Sequence, residues 1–197
     1  MQKHPHPAYR LVLPTAAVLL ALSASGCAAQ GSTATPAAAP STANAKVKAA
    51  SGIPSWNGPS DAAHLICTVD AKEEISGALG LTLTQPLAPT WTDRLYACAY
   101  HYPNGTLQLS VKDLPDAAAT TAWFQARRGT ARSTTPLIGM GDAAFQEPDG
   151  TVIVRKDTTV LVVDVSALPS RVGVPPRERA VAARTVATTI LICWKEA

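Results

Sequence analysis

The residues that could do chemistry in this chain of 197 are its four cysteines, its four histidines and a few serines and carboxylates. A serine hydrolase needs a nucleophile elbow, and no G-x-S-x-G run occurs. A thiol enzyme needs a cysteine with an imidazole in reach, and the conceivable couple is Cys193 with His101. Cys193, however, falls on the apolar face of a terminal helix, where a thiol is an inert core group. His101 falls on the polar face of a hairpin, opposite Gln108, and His64 just before a helix; both read as solvated. Asp142 with Glu147 and Asp149 could approach a cation, but a hard-metal site needs six or more closely arranged oxygens, and Gly141-Asp142 is better explained as a turn. The chain has no CxxC, no HExxH, no P-loop and no dinucleotide fingerprint, so the reading assigns no catalytic residue, no metal and no cofactor. What the cysteines can do is cross-link, and what the rest can do is bind.

Residues 1 to 10 carry Lys3 and Arg10 and no acid, and residues 11 to 22 (LVLPTAAVLLAL) form an apolar run of about a dozen, the pattern of a secretory signal. A bilayer span needs about 20 apolar residues, and Pro14 interrupts this run. Leu22-Ser23-Ala24-Ser25-Gly26-Cys27 follows directly and resembles the lipobox of bacterial lipoproteins, with Ala24 standing where Leu is commonest. The resemblance implies a signal over residues 1–26, diacylglycerol on the Cys27 thiol, and a mature chain held at the outer face of the cell membrane by its lipid. Two acyl chains suffice for stable anchoring where one is marginal.

Removing that signal lowers the formal charge from +3 to +1, since Lys3 and Arg10 leave with it. Nucleic acid requires a basic face, and a near-neutral chain has none. Arg127, Arg128 and Arg132 form the one basic cluster, which a helix C-terminus accounts for through its dipole. Residues 27–60 are dominated by Ala, Ser, Thr, Pro and Gly and cannot repay their ordering entropy, so they read as a flexible tether reaching roughly 30 to 40 Å. Ile53 and Trp56 are its large apolar residues.

Residues 61–197 have the length of a single domain. Asp70-Ala-Lys-Glu73 reads as a capping box with Val69 as its staple, and Ile75, Ala78 and Leu79 as the buried stripe of a helix ended by Gly80. Leu81 to Leu87 alternates and is at most a short edge strand. Arg94–Tyr102 and Thr106–Asp113 flank Asn104-Gly105, which favours a two-residue type I′ turn and pairs Tyr102 with Leu107, Tyr100 with Leu109 and Cys98 with Val111 on one apolar face. Asn104-Gly-Thr106 also matches a glycosylation sequon, but the turn explains it better. Asp116 caps a second helix whose shared side holds Ala119, Ala122, Trp123 and Ala126. Thr151–Arg155 and Thr158–Val165 form a second hairpin joined at Lys156-Asp157. Pro176 opens a closing helix with Ala182, Val186, Ile190 and Cys193 as its apolar stripe. The pattern predicts an α+β fold, with about three helices laid on a twisted antiparallel sheet.

Outside the membrane disulfides are permitted, and Cys67, Cys98 and Cys193 allow one pair. The hairpin puts Cys98 on the apolar face and Cys67 before the helix that covers it, which favours Cys67 with Cys98. Loop entropy slightly favours the alternative, Cys67 with Cys193.

Cys67 before a helix ending Ala78-Leu79-Gly80, Cys98 in a Cys-aromatic strand, Gly139-Met-Gly-Asp142 before a strand pair and the Ala-rich last helix occur in an order that resembles a group of actinobacterial secreted lipoproteins of unknown function, of the mycobacterial Lpp and Lpq kind. The resemblance spans most of residues 65 to 194. An Arg-over-Lys bias and abundant Ala and Thr agree with a GC-rich genome. The resemblance implies a PsbP-like α/β sandwich and binding or scaffolding work in the envelope, and it transfers no catalytic residue. The function expected is therefore capture of an envelope protein, a peptidoglycan fragment or an apolar ligand, with an envelope hydrolase or other enzyme with an unrecognised site as the alternative.

Overall fold

A computed structural model describes residues 57–196. Cys27, the expected signal, and most of the expected tether with Ile53 and Trp56 lie outside the described residues.

The order is α1 (Asp61–Leu65), α2 (Val69–Leu79), β1 (Pro89–Thr92), β2 (Leu95–Tyr102), β3 (Gly105–Asp113), α3 (Ala117–Thr130), β4 (Thr135–Leu137), β5 (Ala143–Gln146), β6 (Val152–Lys156), β7 (Thr159–Asp164), β8 (Arg171–Val172), β9 (Arg177–Glu178) and α4 (Arg179–Glu196). Strands β1 to β7 form an antiparallel sheet in the order β1-β2-β3-β7-β6-β5-β4, so the fold is α+β. Period-2 alternation sends Tyr96, Cys98, Tyr100, Leu107, Leu109, Val111, Leu161 and Val163 to one face. That face packs with α1, α2 and α4 in the main core. The other face is shared. Helix α3 covers β6 and β7, with Phe124 edge-on to Phe145 at 5.0 Å, and leaves Ala97, Ala99, Gln108 and Ser110 partly exposed. No helix of the described residues is long and apolar enough to cross a membrane.

Several local expectations are corrected. Helix α2 is capped by Thr68, whose Oγ1 accepts the Ala71 N–H at 3.2 Å. Asp70 instead lies in the first turn, where its charge complements the helix dipole, and Val69, 63 % exposed, staples nothing. The buried stripe is Ala71, Ile75 and Leu79, and Gly80 ends the helix at φ 64°. Residues 81–87 are not a strand. Thr84 gives its amide to His101 at 2.8 Å, Pro86 offers no donor, and the edge strand begins at Pro89.

The β2–β3 register differs from the expected one by two residues: Tyr102 faces Gly105, Tyr100 faces Leu107 and Cys98 faces Leu109. The turn is Pro103-Asn104, because proline cannot take the positive φ that a type I′ turn demands and instead suits the second position of a type I turn, with Gly105 fourth. A shift of two preserves the face, so the same side chains are buried. The β6–β7 loop is Asp157-Thr158 rather than Lys156-Asp157. Asp157 takes φ 53°, and its N–H is held by the Asp142 carboxylate at 2.9 Å.

Helix α3 starts after Asp116 as expected, its Oδ1 accepting from Ala119 N at 2.7 Å, but the buried residues are Thr120 and Phe124, while Ala122 and Ala126 are exposed. Helix α4 starts at Arg179 rather than Pro176, because Arg177-Glu178 pairs with Arg171-Val172 as a small ribbon. Its stripe of Ala182, Val186, Ile190 and Cys193 is buried. At its end Trp194 donates to the Ala62 carbonyl at 2.8 Å, which brings the last helix beside the first.

Ser60, assigned to the tether by composition, belongs to the folded unit. It caps α1 by accepting from Ala63 N at 3.1 Å. It also clasps the fully buried Asp113: its N–H donates to Oδ2 at 2.8 Å and its hydroxyl to Oδ1 at 2.7 Å.

Candidate functional site

Among the described residues, the groups that the sequence offered for chemistry have structural partners. Cys67 and Cys98 are bonded, with their Cα atoms 5.7 Å apart, and the bridge staples the α1–α2 junction to β2. Cys193 is buried, and its thiol donates to the Glu74 carboxylate at 3.3 Å. His101 lies on the opposite sheet face with Nδ1 3.1 Å from Thr106 Oγ1, so Cys193 and His101 do not meet, and His101 faces Thr106 rather than Gln108. His64 lies within α1, its ring 5.1 Å from that of Tyr96.

The three acids considered for a cation are separated by their own bonds. Asp142 accepts from Asp157, Asp149 accepts from Thr151 N at 2.9 Å, and Glu147 pairs with Arg127 at 3.1 Å. Among the described residues no group of three or more His, Cys, Asp or Glu could hold a metal. Arg128 donates to Thr134 at 3.3 Å, and Arg132 lines a recess with Glu147 and Asp149, so two of the three arginines, Arg127 and Arg132, lie beside acids.

Several recesses lie among the described residues, and two of them have the most apolar walls. The larger, about 420 Å³, lies between the β4–β5 hairpin and the end of α4 and brings together Ile138, Met140 and Ile192 with Asp142, Lys156 and Lys195. The smaller, about 250 Å³, lies between the β2–β3 turn and the loop after β7, walled by Leu81, Tyr102, Pro103, Leu168, Val172 and Val174, with Asn104 and Arg171 exposed beside it. Its frame is tightly built. The Val174 N–H donates to Leu79 O at 2.8 Å, and Arg171 donates to Pro176 O at 3.1 Å. Gly105 has φ 143° and lies so close to Ala167 that a Cβ would meet its carbonyl oxygen at 2.2 Å.

Tyr100 and Tyr102 share one face of β2 but differ in their polar ends. The Tyr100 hydroxyl donates to Ile66 O at 2.8 Å, and burial, reinforced by Tyr102, holds its pKa well above the ordinary tyrosine value. Burial likewise raises the Tyr102 hydroxyl, and a side-chain hydrogen bond with Ser76 offsets part of the rise. Tyr102 is 5 % exposed and its hydroxyl is closed to solvent.

Sequence reasoning did not find this cavity. Its one legible signal is the density of Pro and Gly around Pro169, Gly173, Pro175 and Pro176, which marks a shaped loop without saying what it meets.

Comparison with known proteins adds one likeness. A family model described as "Putative collagen-binding domain of a collagenase" matches residues 80–164, less than half of the chain. The matched stretch holds β1 to β7 and α3, and includes Leu81, Tyr102, Pro103 and Asn104 of the smaller cavity. No curated protein and no solved structure matches the chain. The likeness is to a domain that binds, which agrees with the coarse expectation of a binding module.

Proposed function

We propose that this chain is a lipid-anchored, extracytoplasmic binding module whose partner is a collagen-like extracellular protein. The observation that carries the partner class is the match of residues 80–164 to a collagen-binding domain model, over a segment that forms the whole seven-stranded sheet. The anchor is supported by Gly26-Cys27 after a charged and then apolar leader, and the envelope setting by the likeness in residue order to actinobacterial secreted lipoproteins. A disulfide between Cys67 and Cys98 agrees with an oxidising location. The role is non-enzymatic: Cys67, Cys98, Cys193, His101 and the acids of the 142–149 loop are engaged in structural bonds.

The test has two arms. The mature chain is passed over immobilised native collagen and over an unrelated globular protein; saturable retention on collagen alone is expected, and equal retention on both overturns the partner class. Cells expressing the full chain or its Cys27→Ala variant are fractionated. Wild type should follow the membrane and the variant should leave it; an unchanged distribution overturns the anchor.

A further inference from the structure

We infer that the end of the domain formed by the β4–β5 loop and the last turns of α4 is its membrane-facing surface, where Ile138 and Ile192 enter the lipid interface and Lys195 meets lipid phosphates. This rests on the lipid anchor proposed above and not on the collagen-like partner, and it adds how the anchored domain sits on the bilayer.

Soluble domains rarely gather large apolar side chains at one exposed place without a surface to receive them. Ile138 is 96 % exposed, the most of any large apolar side chain among the described residues, and Ile192 is 53 % exposed. Both line the recess of about 420 Å³, together with Met140. The two acid-free recesses hold one such residue each: Val174 beside the β2–β3 turn, and Val181 on α4 near Arg184.

Ile138 stands on a braced loop. The Asp142 N–H donates to Arg155 O at 2.9 Å, and the Asp142 carboxylate accepts from Asp157 N at 2.9 Å. Gly141, at φ 60°, lies so close to β6 that a Cβ would meet Arg155 O at 2.6 Å. The isoleucine is thus presented to solvent by a fixed backbone, and its transfer into lipid costs little further ordering. A side chain this exposed is not covered by the recess walls, so an extended apolar phase suits it better than an enclosed small molecule.

The charges beside the recess agree. Lys156 pairs with Asp157 at 2.5 Å, and Asp142 holds the Asp157 amide, so both acids are engaged within the fold. Lys195 is exposed and makes no ion pair among the described residues. A lysine in this setting rests its stem on apolar surface and carries its ammonium to the phosphate layer.

Topology decides which way this surface faces. Ser60 is clasped to Asp113, which lies opposite Thr159 at the β6–β7 turn, and Trp194 donates to Ala62 O at 2.8 Å. The described chain begins at Asn57, so the residues that lead back to Cys27 leave the fold at the end that carries Ile138, Ile192 and Lys195. The β2–β3 turn and Val174 lie at the other end, roughly 30 Å away along β3. Residues 28–56 span at most about 100 Å fully extended, so an anchor at Cys27 keeps the domain near the bilayer and lets even a weak contact be populated.

The experiment reconstitutes the full chain, as processed by the cell, in vesicles of equal phosphatidylcholine and phosphatidylglycerol with nitroxide groups near the top of their acyl chains. An environment-sensitive fluorophore is attached at Ile138→Cys or, for comparison, at Val174→Cys, after circular dichroism confirms the wild-type spectrum. Of the native thiols, Cys67 and Cys98 are bonded to each other and Cys193 is buried, so none of these three competes for the label. The label at 138 should be quenched by the nitroxides and the label at 174 should not. Adding Ile192→Asp should lower the ratio of docked to undocked domains about tenfold or more, because a charge replaces a group that enters lipid. Quenching at 138 that is no stronger than at 174, or that Ile192→Asp leaves unchanged, overturns this inference while the anchor stands. Shielding of the 138 label from aqueous iodide without nitroxide quenching also overturns it, and makes the surface a contact between copies of this chain. A chain that does not stay with the vesicles removes the anchor and this inference with it.

Discussion

Replacing Asp113 with Ala should be among the most destabilising changes to a polar residue in this domain, although Asp113 touches no candidate site. The carboxylate is fully buried at the end of β3 and accepts two bonds from Ser60, at 2.8 and 2.7 Å, across 53 residues of sequence. Hydrogen bonds to a charged group contribute about 1.5 to 3 kcal/mol each, and the lower figure applies here because Ser60 is partly buried and can recover some of the loss from water. Asp113→Ala should therefore cost about 3 kcal/mol, a large share of a net stability of about 5 to 15 kcal/mol. Ser60→Ala removes one of those bonds and the α1 cap, for about 2 kcal/mol together. Both changes delete the same hydroxyl–carboxylate bond, so the double variant should cost about 1.5 kcal/mol less than the sum. Urea unfolding at constant m-value gives all three numbers. An Asp113→Ala variant within about 0.5 kcal/mol of wild type, or strict additivity in the cycle, would refute the clasp. The same bonds set the domain boundary: a chain beginning at Ala62 should lose most of what Asp113→Ala loses, whereas one beginning at Asn57 should not.

Two further outcomes follow from buried groups on the same sheet face. Joint replacement of Cys67 and Cys98 by Ala should lower stability by about 3.5 to 4 kcal/mol in the chain-entropy model for a separation of 31 residues, and an unchanged urea midpoint would contradict it. The Tyr100 pKa is raised in the folded chain above the unfolded value of 10.0. The unfolded chain therefore sheds this proton first, so stability is intact below about pH 10 and falls above it by about 1.4 kcal/mol per pH unit from this hydroxyl. Unfolding curves at about pH 9 and pH 11 with Tyr100→Phe as the reference measure the slope, and wild type and variant declining in parallel would sink it.

Much of the architecture was legible because it depends on short-range periodicity. Alternation at Tyr96, Cys98, Tyr100 and Tyr102 against Leu107, Leu109 and Val111 marks the buried face whatever the exact register, and spacings of four, four and three at Ala182, Val186, Ile190 and Cys193 mark the inner side of α4. The turn was misread where two local signals competed: Asn-Gly proposes one loop, and Pro103 forbids the dihedral angles that loop needs. The α2 cap was misread for a related reason, since Thr68 and Asp70 are both good caps and only the path of the chain from α1 decides which oxygen meets a free amide.

Composition and periodicity alone point to an α+β domain, because helix and strand patterns are written in residues near one another in the chain. Tertiary structure alone decides that Ser60 belongs with Asp113, that Cys193 faces Glu74 rather than His101, and that Tyr102 meets Val172 and Val174 around one cavity. These are contacts across 50 residues or more, and no spacing rule reaches that far: they exist only once the sheet has set its register and the last helix has folded back over it.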